Sequence, residues 1–357
     1  MRAAQWVEPE RLDLAEVDEP APTDGQALVR VSECGICGSD LSSFKGGLGT
    51  RPGQVLGHEF SGTVLAAPGV DGLSDGDRVT VRPLTPCGQC DRCLAGDVHL
   101  CEAGRGLDIG YGVSGAFADR VLVPRALVGQ TVFKLPDAVS DRAGALVEPL
   151  AVALRAARLG EPSPGDVAVV FGLGIIGLGV VHWLKSMGVT TVVAADPSAL
   201  RRERARSLGA DVVVDPASAS TVAAVAAITG PGLYGAGARA DVVVECSGAP
   251  PAFADAIKVA RSGATLVIAA LYKNKVELRP DRLVEKELTV RGSFAYKDEF
   301  PVVISELERG GIDADALISH TFPLERIQEA FAVQLDASQS VKVTVSPASN
   351  PGKGDWR

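Results

Sequence analysis

Four cysteines lie close together in the first third of the chain: Cys87, Cys90, Cys93 and Cys101. Their successive spacings of three, three and eight residues, in a stretch rich in glycine and proline, allow four thiolates to converge on one point. Four thiolates complete a tetrahedral zinc site and leave no coordination position open, which is typical of a structural metal. An iron–sulfur cluster uses the same ligands and is the alternative. We predict structural zinc.

A second set of metal-type residues is divided among separate turns. Cys37 follows a predicted strand, and His58 lies in a glycine-rich turn next to Glu59. Glu148 is a further candidate, because a carboxylate in so apolar a stretch is costly unless it is paired or bound to a metal. One cysteine and one histidine, completed by a carboxylate or water, are typical of a catalytic zinc site. The alternatives are a redox pair of Cys37 with Cys34, a core histidine and an acid at a helix start; Cys34 itself is interpreted as a small buried residue.

A nucleotide-binding pattern begins at residue 167. An apolar strand over 167–171 is followed by Gly172, Gly174 and Gly177, a helical pattern, a second strand and then Asp196. The glycines permit a tight turn and close approach of a pyrophosphate to a helix N-terminus, and the acid bonds the ribose hydroxyls of NAD. A glycine-rich helix packed in a core is the alternative. Further candidate contacts are Ile175, Ile176, Arg201 and Ser247.

The coenzyme preference depends on the residue that ends the second strand. Asp196 would repel the 2′-phosphate of NADP, which favours NAD. Arg201 and Arg202 follow it and could pair with a 2′-phosphate, or they could form the solvated face of the next helix. We predict NAD, with NADP as the less favoured coenzyme.

The composition excludes several classes of protein. The chain has 357 residues, 46% hydrophobic and 22% charged, which predicts two globular domains. A net charge of −9 argues against nucleic acid or an anionic membrane as a partner. No secretory segment is evident at the start, and the longest apolar run is too short to span a bilayer. We expect a soluble, cytoplasmic protein, and its seven cysteines, an odd number, indicate metal binding rather than disulfides.

The elements that must position these residues differ between two parts of the chain. Residues 27–31 and 78–81 alternate apolar and polar side chains between turn clusters, which predicts a compact β-rich domain. Further along, residues 211–214, 241–245 and 264–268 read as parallel strands separated by helical stretches. The predicted class is α/β, with a doubly wound parallel sheet in the second part. Short strands are also predicted at 316–318 and 341–343, followed by a polar tail over 350–357.

These motifs follow one another in the order of the zinc-containing medium-chain dehydrogenase/reductase family, which the chain resembles over essentially its full length. The resemblance is carried by Cys37-Gly38-Ser39-Asp40, Gly57-His58-Glu59, the four cysteines, Glu148-Pro149-Leu150-Ala151 and the segment 172–196. It implies a GroES-like catalytic domain over residues 1–150, with the structural zinc lobe at 85–103. A Rossmann domain would then occupy 151–290, and residues 291–357 would return to the catalytic domain.

The resemblance also implies roles for individual residues. It assigns a catalytic zinc to Cys37 and His58, with Glu59 or Glu148 as the carboxylate partner, and gives two zincs per chain. Ser39 matches the hydroxyl that passes the substrate proton onward. Many relatives carry a histidine soon after this serine, whereas this chain has Leu41-Ser42-Ser43, so that Ser42 or water must serve instead. The segment 287–296 is similar to the one that leads back to the active site, which makes Phe294 a candidate coenzyme contact.

Together these features predict an oxidoreductase that transfers hydride between a secondary alcohol and NAD and forms the ketone. The branch resembled, which includes polyol, butanediol and threonine dehydrogenases, favours a polyol, vicinal diol, cyclitol or amino alcohol. Few charged residues are evident near the motifs, which favours a neutral substrate, and candidate pocket walls are Phe44, Tyr111, Phe294 and Tyr296. Alternatives are a zinc-free NADPH-dependent reductase and a nucleotide-binding protein that has lost catalysis. The expected partners are a small alcohol or ketone and further copies of the chain, in a homotetramer or homodimer.

Overall fold

The computed structural model describes residues 1–347, so the predicted polar tail lies outside the described residues. The chain divides into two compact units. The first contains Met1–Glu148 and the described residues from Lys297 onward, and the second contains Pro149–Tyr296. Among the described residues, no helix combines the length and apolar character needed to cross a membrane.

The described residues form fifteen strands and twelve α-helices. The strands are β1 (Arg2–Glu8), β2 (Arg11–Glu16), β3 (Ala27–Gly35), β4 (Glu59–Ala66), β5 (Arg78–Val81), β6 (Arg120–Val123), β7 (Val132–Lys134), β8 (Val167–Phe171), β9 (Thr191–Ala195), β10 (Val212–Val214), β11 (Ala240–Glu245), β12 (Ala260–Ile268), β13 (Thr289–Gly292), β14 (Ile318–Pro323) and β15 (Lys342–Ser346). The helices are α1 (Gly38–Phe44), α2 (Asp91–Leu94), α3 (Asp141–Ala145), α4 (Val147–Leu159), α5 (Ile175–Ser186), α6 (Ala199–Ser207), α7 (Thr221–Thr229), α8 (Pro250–Val259), α9 (Asp281–Lys286), α10 (Phe300–Glu308), α11 (Ala314–Leu317) and α12 (Ile327–Leu335). Short 3₁₀ turns cover Val98–Leu100, Arg105–Leu107, Leu233–Gly235 and Leu324–Arg326.

The first unit is built on a seven-stranded sheet in the order β14-β15-β3-β4-β5-β7, with β6 paired to β3. Strands β3 and β4 are antiparallel and place Gly35 opposite Glu59, while β15 pairs with the other edge of β3 and places Thr344 opposite Gly35. The end of β3, the start of β4 and the start of β15 therefore lie at one edge of the sheet. A core that includes Phe60 and Phe117 packs against it.

The second unit contains a six-stranded parallel sheet in the order β10-β9-β8-β11-β12-β13. The chain starts at β8 in the middle, moves outward to β10 and then crosses to β11, so the strand order reverses between β8 and β11. In sheets of this kind ligands bind at the carboxyl ends of the strands where the order reverses. The predicted doubly wound parallel sheet is confirmed.

One of the short C-terminal strands is predicted wrongly. Of the predicted strand 316–318, Ala316 and Leu317 belong to helix α11 instead, and β14 begins at Ile318. The reason is local, because the side chain of Asp313 accepts a hydrogen bond from the N–H of Ala316 and caps the helix.

Candidate functional site

The four sulfurs of the cysteine lobe stand at the distances that a tetrahedral metal requires. Sγ of Cys87 lies 3.9 Å from Sγ of Cys93, and Sγ of Cys90 lies 3.8 Å from Sγ of Cys101. All four sulfurs lie within 4.8 Å of one another. Zinc–sulfur bonds of about 2.3 Å in a tetrahedron place the sulfurs about 3.8 Å apart. Two of the sulfur–sulfur distances therefore match a bound zinc ion, and all four sulfurs lie close enough together to hold one.

Backbone groups in the lobe favour the thiolate form. The N–H of Cys90 donates to Sγ of Cys87, and the N–H of Cys87 donates to Sγ of Cys101, at 3.4 and 3.3 Å. Hydrogen bonds from the backbone of Gln89 and Cys90 lower the pKa of the Cys87 thiol to about 6. A metal ligand of this type must be deprotonated, so these backbone groups prepare Cys87 to bind a metal, whereas burial raises the pKa of the Cys93 thiol.

The second set of ligands lies at the sheet edge where β3 ends and β4 begins. Cys37 caps the N-terminus of α1, and His58 immediately precedes β4. The carboxylate of Asp40 accepts hydrogen bonds from the N–H of Cys37 at 2.9 Å and of Gly57 at 3.1 Å, so it ties the two turns together. Its Oδ1 also lies 3.4 Å from Nδ1 of His58. Nδ1 forms no hydrogen bond with this carboxylate, but the negative charge of Asp40 favours a proton on Nδ1, which leaves Nε2 free to bind a metal.

Of the two candidate carboxylates, Glu59 lies at the same edge of the sheet as Cys37 and His58. Ligand atoms of Cys37, His58 and Glu59 lie within 4.8 Å of one another. The Glu59 carboxylate forms an ion pair with Nζ of Lys342, and both side chains are 1% exposed. Lys342 also donates to the carbonyl of Ile36 at 3.0 Å. A cysteine, a histidine and a carboxylate fit a zinc ion that keeps one position for substrate.

Glu148, the other candidate, is buried near the start of α4. Its charge acts on the same lysine. Burial on its own lowers the pKa of Lys342, but the charges of Glu59, Cys37 and Glu148 outweigh that effect and the pKa lies above its ordinary value. Lys342 therefore remains an ammonium ion that compensates two buried carboxylates.

Two hydroxyl groups lie beside the histidine. Oγ of Ser39 is 3.4 Å from Nε2 of His58, and the hydroxyl of Tyr111 is 3.2 Å from the same atom and 2.7 Å from Ser39 Oγ. Ser42, the predicted substitute for a relay histidine, instead donates its hydroxyl to the carbonyl of Gly38 at 3.2 Å. Of the other candidate pocket walls, Phe44 packs in the core, Tyr296 is buried and Phe294 is 41% exposed.

The glycine loop of the second unit fits a dinucleotide. Gly172 has φ of 82°, and a Cβ there would meet the backbone of Ser247 at 2.7 Å. A Cβ on Gly177 would collide with the carbonyl of Gly172. Gly174 is the N-cap of the twelve-residue helix α5, so the N–H groups of Ile175 and Ile176 belong to its first turn. Only glycine leaves room for this tight turn, and the helix N-terminus suits a pyrophosphate.

Asp196, at the end of β9, is hydrogen-bonded to the glycine loop. The carboxylate of Asp196 accepts hydrogen bonds from the N–H of Leu173 at 2.7 Å and of Ser198 at 2.8 Å, and it is 4% exposed. Arg201 lies close to Gly174, and its burial lowers its pKa while Asp196 opposes the shift. Arg202 donates to the carbonyls of Asp196 and Pro197. Arg202 therefore stabilises the turn, whereas Arg201 stands beside the glycine loop.

Sequence reasoning missed Glu245, a fully buried acid at the carboxyl end of β11. Its Oε1 accepts hydrogen bonds from the hydroxyl and the N–H of Ser247, the latter at 2.8 Å, and its Oε2 accepts from the hydroxyl of Tyr272 at 2.5 Å. Gly248 donates to both oxygens. Glu245 thus holds the turn that abuts Gly172. The sequence feature that could have identified Glu245 is a carboxylate that ends a strand of buried valines.

Comparison with known proteins identifies the family to which the chain belongs. The family model described as an alcohol dehydrogenase GroES-like domain matches residues 23–137, and the one described as a zinc-binding dehydrogenase matches residues 176–309. The (R,R)-butanediol dehydrogenase of Bacillus subtilis (strain 168) is 36% identical over 362 residues, which cover 97% of this chain and 100% of that protein.

Two solved structures extend the likeness to three dimensions. A zinc-binding dehydrogenase from Sinorhizobium meliloti 1021 bound to NADP has a TM-score of 0.87 and 33% identity, and covers 97% of this chain and 99% of its own. The rspB alcohol dehydrogenase of Escherichia coli CFT073, complexed with NADH, has a TM-score of 0.85 and 29% identity over the same shares. These matches confirm the predicted GroES-like and Rossmann fold class and the predicted cofactors, zinc and a nicotinamide dinucleotide. Since one relative is 36% identical over nearly the whole chain, the protein belongs to the zinc-containing alcohol dehydrogenase family of medium-chain dehydrogenases/reductases, enzymes that act on CH–OH groups.

Proposed function

We propose that the chain oxidises a neutral secondary alcohol, of the polyol or vicinal diol type, to the ketone with NAD as hydride acceptor. The observation that carries the proposal is the convergence of Cys37, His58 and Glu59 next to the hydroxyl of Ser39. The diol class is supported by the similarity to a butanediol dehydrogenase. Cyclitols and amino alcohols are the remaining substrate classes, and ketone reduction is the reverse reaction.

The proposed catalytic metal site consists of Cys37 and His58 with Glu59 or Glu148 as the carboxylate. The proposed structural site consists of the four cysteines of the lobe. Zinc in the first site supplies a Lewis acid that lowers the pKa of the substrate hydroxyl, and NAD supplies the hydride acceptor.

The side chains around these ligands fix their geometry and move the proton. Asp40 orients His58 so that Nε2 faces the site, and Lys342 holds the Glu59 carboxylate. Ser39 Oγ accepts the proton of the reacting hydroxyl and releases its own toward solvent. Because the hydroxyl of serine both donates and accepts, this transfer needs no charged intermediate on the side chain.

NAD is the proposed coenzyme because Asp196 lies at the end of β9, where a 2′-phosphate would meet a carboxylate. The related structures hold NADP in one case and NADH in the other, so the family accepts both. Ile175, Ile176, Arg201, Ser247 and Phe294 are proposed as further contacts of the coenzyme. A homotetramer or homodimer is the proposed assembly, which light scattering after gel filtration measures directly.

The test is a turnover assay on purified protein whose zinc content has been measured. Diols, polyols, cyclitols and amino alcohols are supplied with NAD or NADP, and NADH or NADPH absorbance is followed. We expect two zincs per chain and NAD-dependent turnover of a secondary alcohol.

The variant Cys37→Ser should lose turnover and one zinc while NADH still binds. Undiminished turnover by that variant rejects the proposed zinc site. Reduction of activated double bonds with NADPH by zinc-free protein would instead identify the reductase alternative. The absence of any turnover would favour a retired nucleotide-binding protein.

A further inference from the structure

Three polar atoms form a compact triangle at the edge of the first unit's sheet. They are Ser39 Oγ, the hydroxyl oxygen of Tyr111 and Nε2 of His58, with sides of 2.7, 3.2 and 3.4 Å. The proposed function employs the serine and the histidine. The tyrosine has no part in that scheme, although its hydroxyl lies closer to Nε2 than the serine does.

The position of Tyr111 is set by its loop. The carbonyl of Asp108 accepts hydrogen bonds from the N–H groups of Tyr111, Gly112 and Val113, at 3.2, 2.8 and 3.1 Å. Nε2 of Gln54 donates to the carbonyl of Tyr111 at 3.1 Å. The phenol ring also packs on the His58 ring with centroids 4.9 Å apart. Backbone and ring contacts together therefore hold the hydroxyl at this point.

Two hydroxyls side by side next to one metal-binding nitrogen match a substrate with two adjacent oxygens. The oxygens of a vicinal diol in its gauche form are one hydrogen-bond length apart, as are Ser39 Oγ and the Tyr111 hydroxyl. A phenol both donates and accepts, so it can pair with the second hydroxyl of a diol or with the oxygen of a hydroxyketone. A simple alcohol has no oxygen to offer it.

We infer that Tyr111 determines specificity: its hydroxyl binds the oxygen on the carbon next to the reacting carbinol, while Ser39 serves the reacting hydroxyl. This inference rests on the proposed function and narrows the substrate class to vicinal diols and the corresponding hydroxyketones. The hydrogen bond is made in the bound substrate as well as during the reaction, so its loss should raise KM more than it lowers kcat.

The test compares Tyr111→Phe with the wild type on 2,3-butanediol and 2-butanol, which share a carbon skeleton. The variant keeps the ring on His58 and removes one oxygen. We expect kcat/KM for the diol to fall about 3- to 10-fold, and kcat/KM for 2-butanol to change by less than about 2-fold. Ser39→Ala is the matched control, since it should impair both substrates alike. Zinc content should equal that of the wild type.

A binding measurement separates this inference from the proposed function. The dissociation constant of each alcohol in the unreactive complex with NADH is followed by nicotinamide fluorescence. Tyr111→Phe should raise the dissociation constant of the diol by the same factor and leave that of 2-butanol unchanged. Equal losses for both alcohols, or no loss for either, would overturn the inference. A wild type that binds the diol through Tyr111 but oxidises no alcohol would refute the proposed function and leave the inference standing.

Discussion

Lys342 and Glu59 form an ion pair in which each side chain is only 1% exposed. The two residues lie on β15 and at the start of β4, which flank β3 on opposite sides. Their pairing places an ammonium ion directly behind a candidate zinc ligand. The charge of Lys342 therefore contributes both to the stability of this sheet edge and to the orientation of the carboxylate.

Replacement of Lys342 by Met should strongly destabilise the first unit. The change leaves the buried carboxylate of Glu59 without the ammonium ion that pairs with it, and breaking a buried pair costs about 3–5 kcal/mol of unfolding free energy. Urea unfolding of zinc-saturated protein measures the loss. The double variant with Glu59→Gln should recover part of it, because one of the buried charges is gone. A loss below about 1 kcal/mol, which is typical of a surface pair, would contradict this account.

The cysteine lobe should bind one zinc independently of the catalytic site. Cys93→Ser should reduce zinc from about two to about one per chain and lower the thermal unfolding midpoint, because metal binding contributes folding free energy. Cys246→Ser is the control, since this cysteine belongs to neither ligand group and lies in the second unit. It should keep both zincs. Iron in place of zinc in elemental analysis would favour the iron–sulfur alternative.

The features that the sequence predicts best are those coded by short spacing. The four cysteines lie within fifteen residues, and the glycine loop is a continuous strand–turn–helix, so no long-range information is needed to propose either site. The parallel sheet follows from repeated apolar segments in the same way.

Contacts between segments that lie far apart in the chain could not be predicted from the sequence. Tyr111 reaches Ser39 across 72 positions, and Lys342 reaches Ile36 across 306. Neither residue stands in a motif, and a tyrosine or lysine taken alone is more often a core or surface residue. The pairing of β3 with β15 is what brings Lys342 to the site, and strand pairing at such separation depends on the whole fold.

Glu245 should act as a positioning residue for the coenzyme. Its carboxylate accepts hydrogen bonds from Ser247, Gly248 and Tyr272, and a glutamine retains only one acceptor oxygen. Since hydrogen bonds to a charged group contribute about 1.5–3 kcal/mol each, Glu245→Gln should weaken NADH binding about tenfold as the Ser247 turn loosens. NADH fluorescence titration measures this loss.

The size of the effect should follow the number of hydrogen bonds removed. Tyr272→Phe removes a single hydrogen-bond donor, so it should weaken NADH binding less than Glu245→Gln does. Unchanged NADH affinity in Glu245→Gln, with zinc content and folding preserved, would show that the turn holds its shape without the carboxylate.

The coenzyme preference should depend on the charge of Asp196. Asp196→Asn keeps an oxygen for the N–H groups of Leu173 or Ser198 and removes the repulsion of a 2′-phosphate. The ratio of kcat/KM with NAD to kcat/KM with NADP should fall by about tenfold or more. Arg202→Gln is a useful comparison, since Arg202 contacts the carbonyls of Asp196 and Pro197. A ratio that Asp196→Asn leaves unchanged would place the discrimination elsewhere.

The buried carboxyl group of Asp108 should make the first unit less stable as pH rises through the acidic range. Burial raises its pKa to about 6, although the N–H of Thr85 donates to it at 2.8 Å and opposes the shift. The unfolded chain releases this proton near pH 4, so between about pH 4 and 6 the folded state holds more protons and loses stability as pH increases. Above about pH 6 both states are ionised and the loss is complete.

The variant Asp108→Asn keeps the acceptor for Thr85 without the charge. Its free energy of unfolding should therefore exceed that of the wild type by an amount that grows to roughly 2–3 kcal/mol across that pH window and then levels off. Urea unfolding at pH 4.5 to 8, with Asp71→Asn as an exposed control for net charge, measures the difference. An advantage that stays the same at every pH would show that Asp108 is already ionised throughout this range.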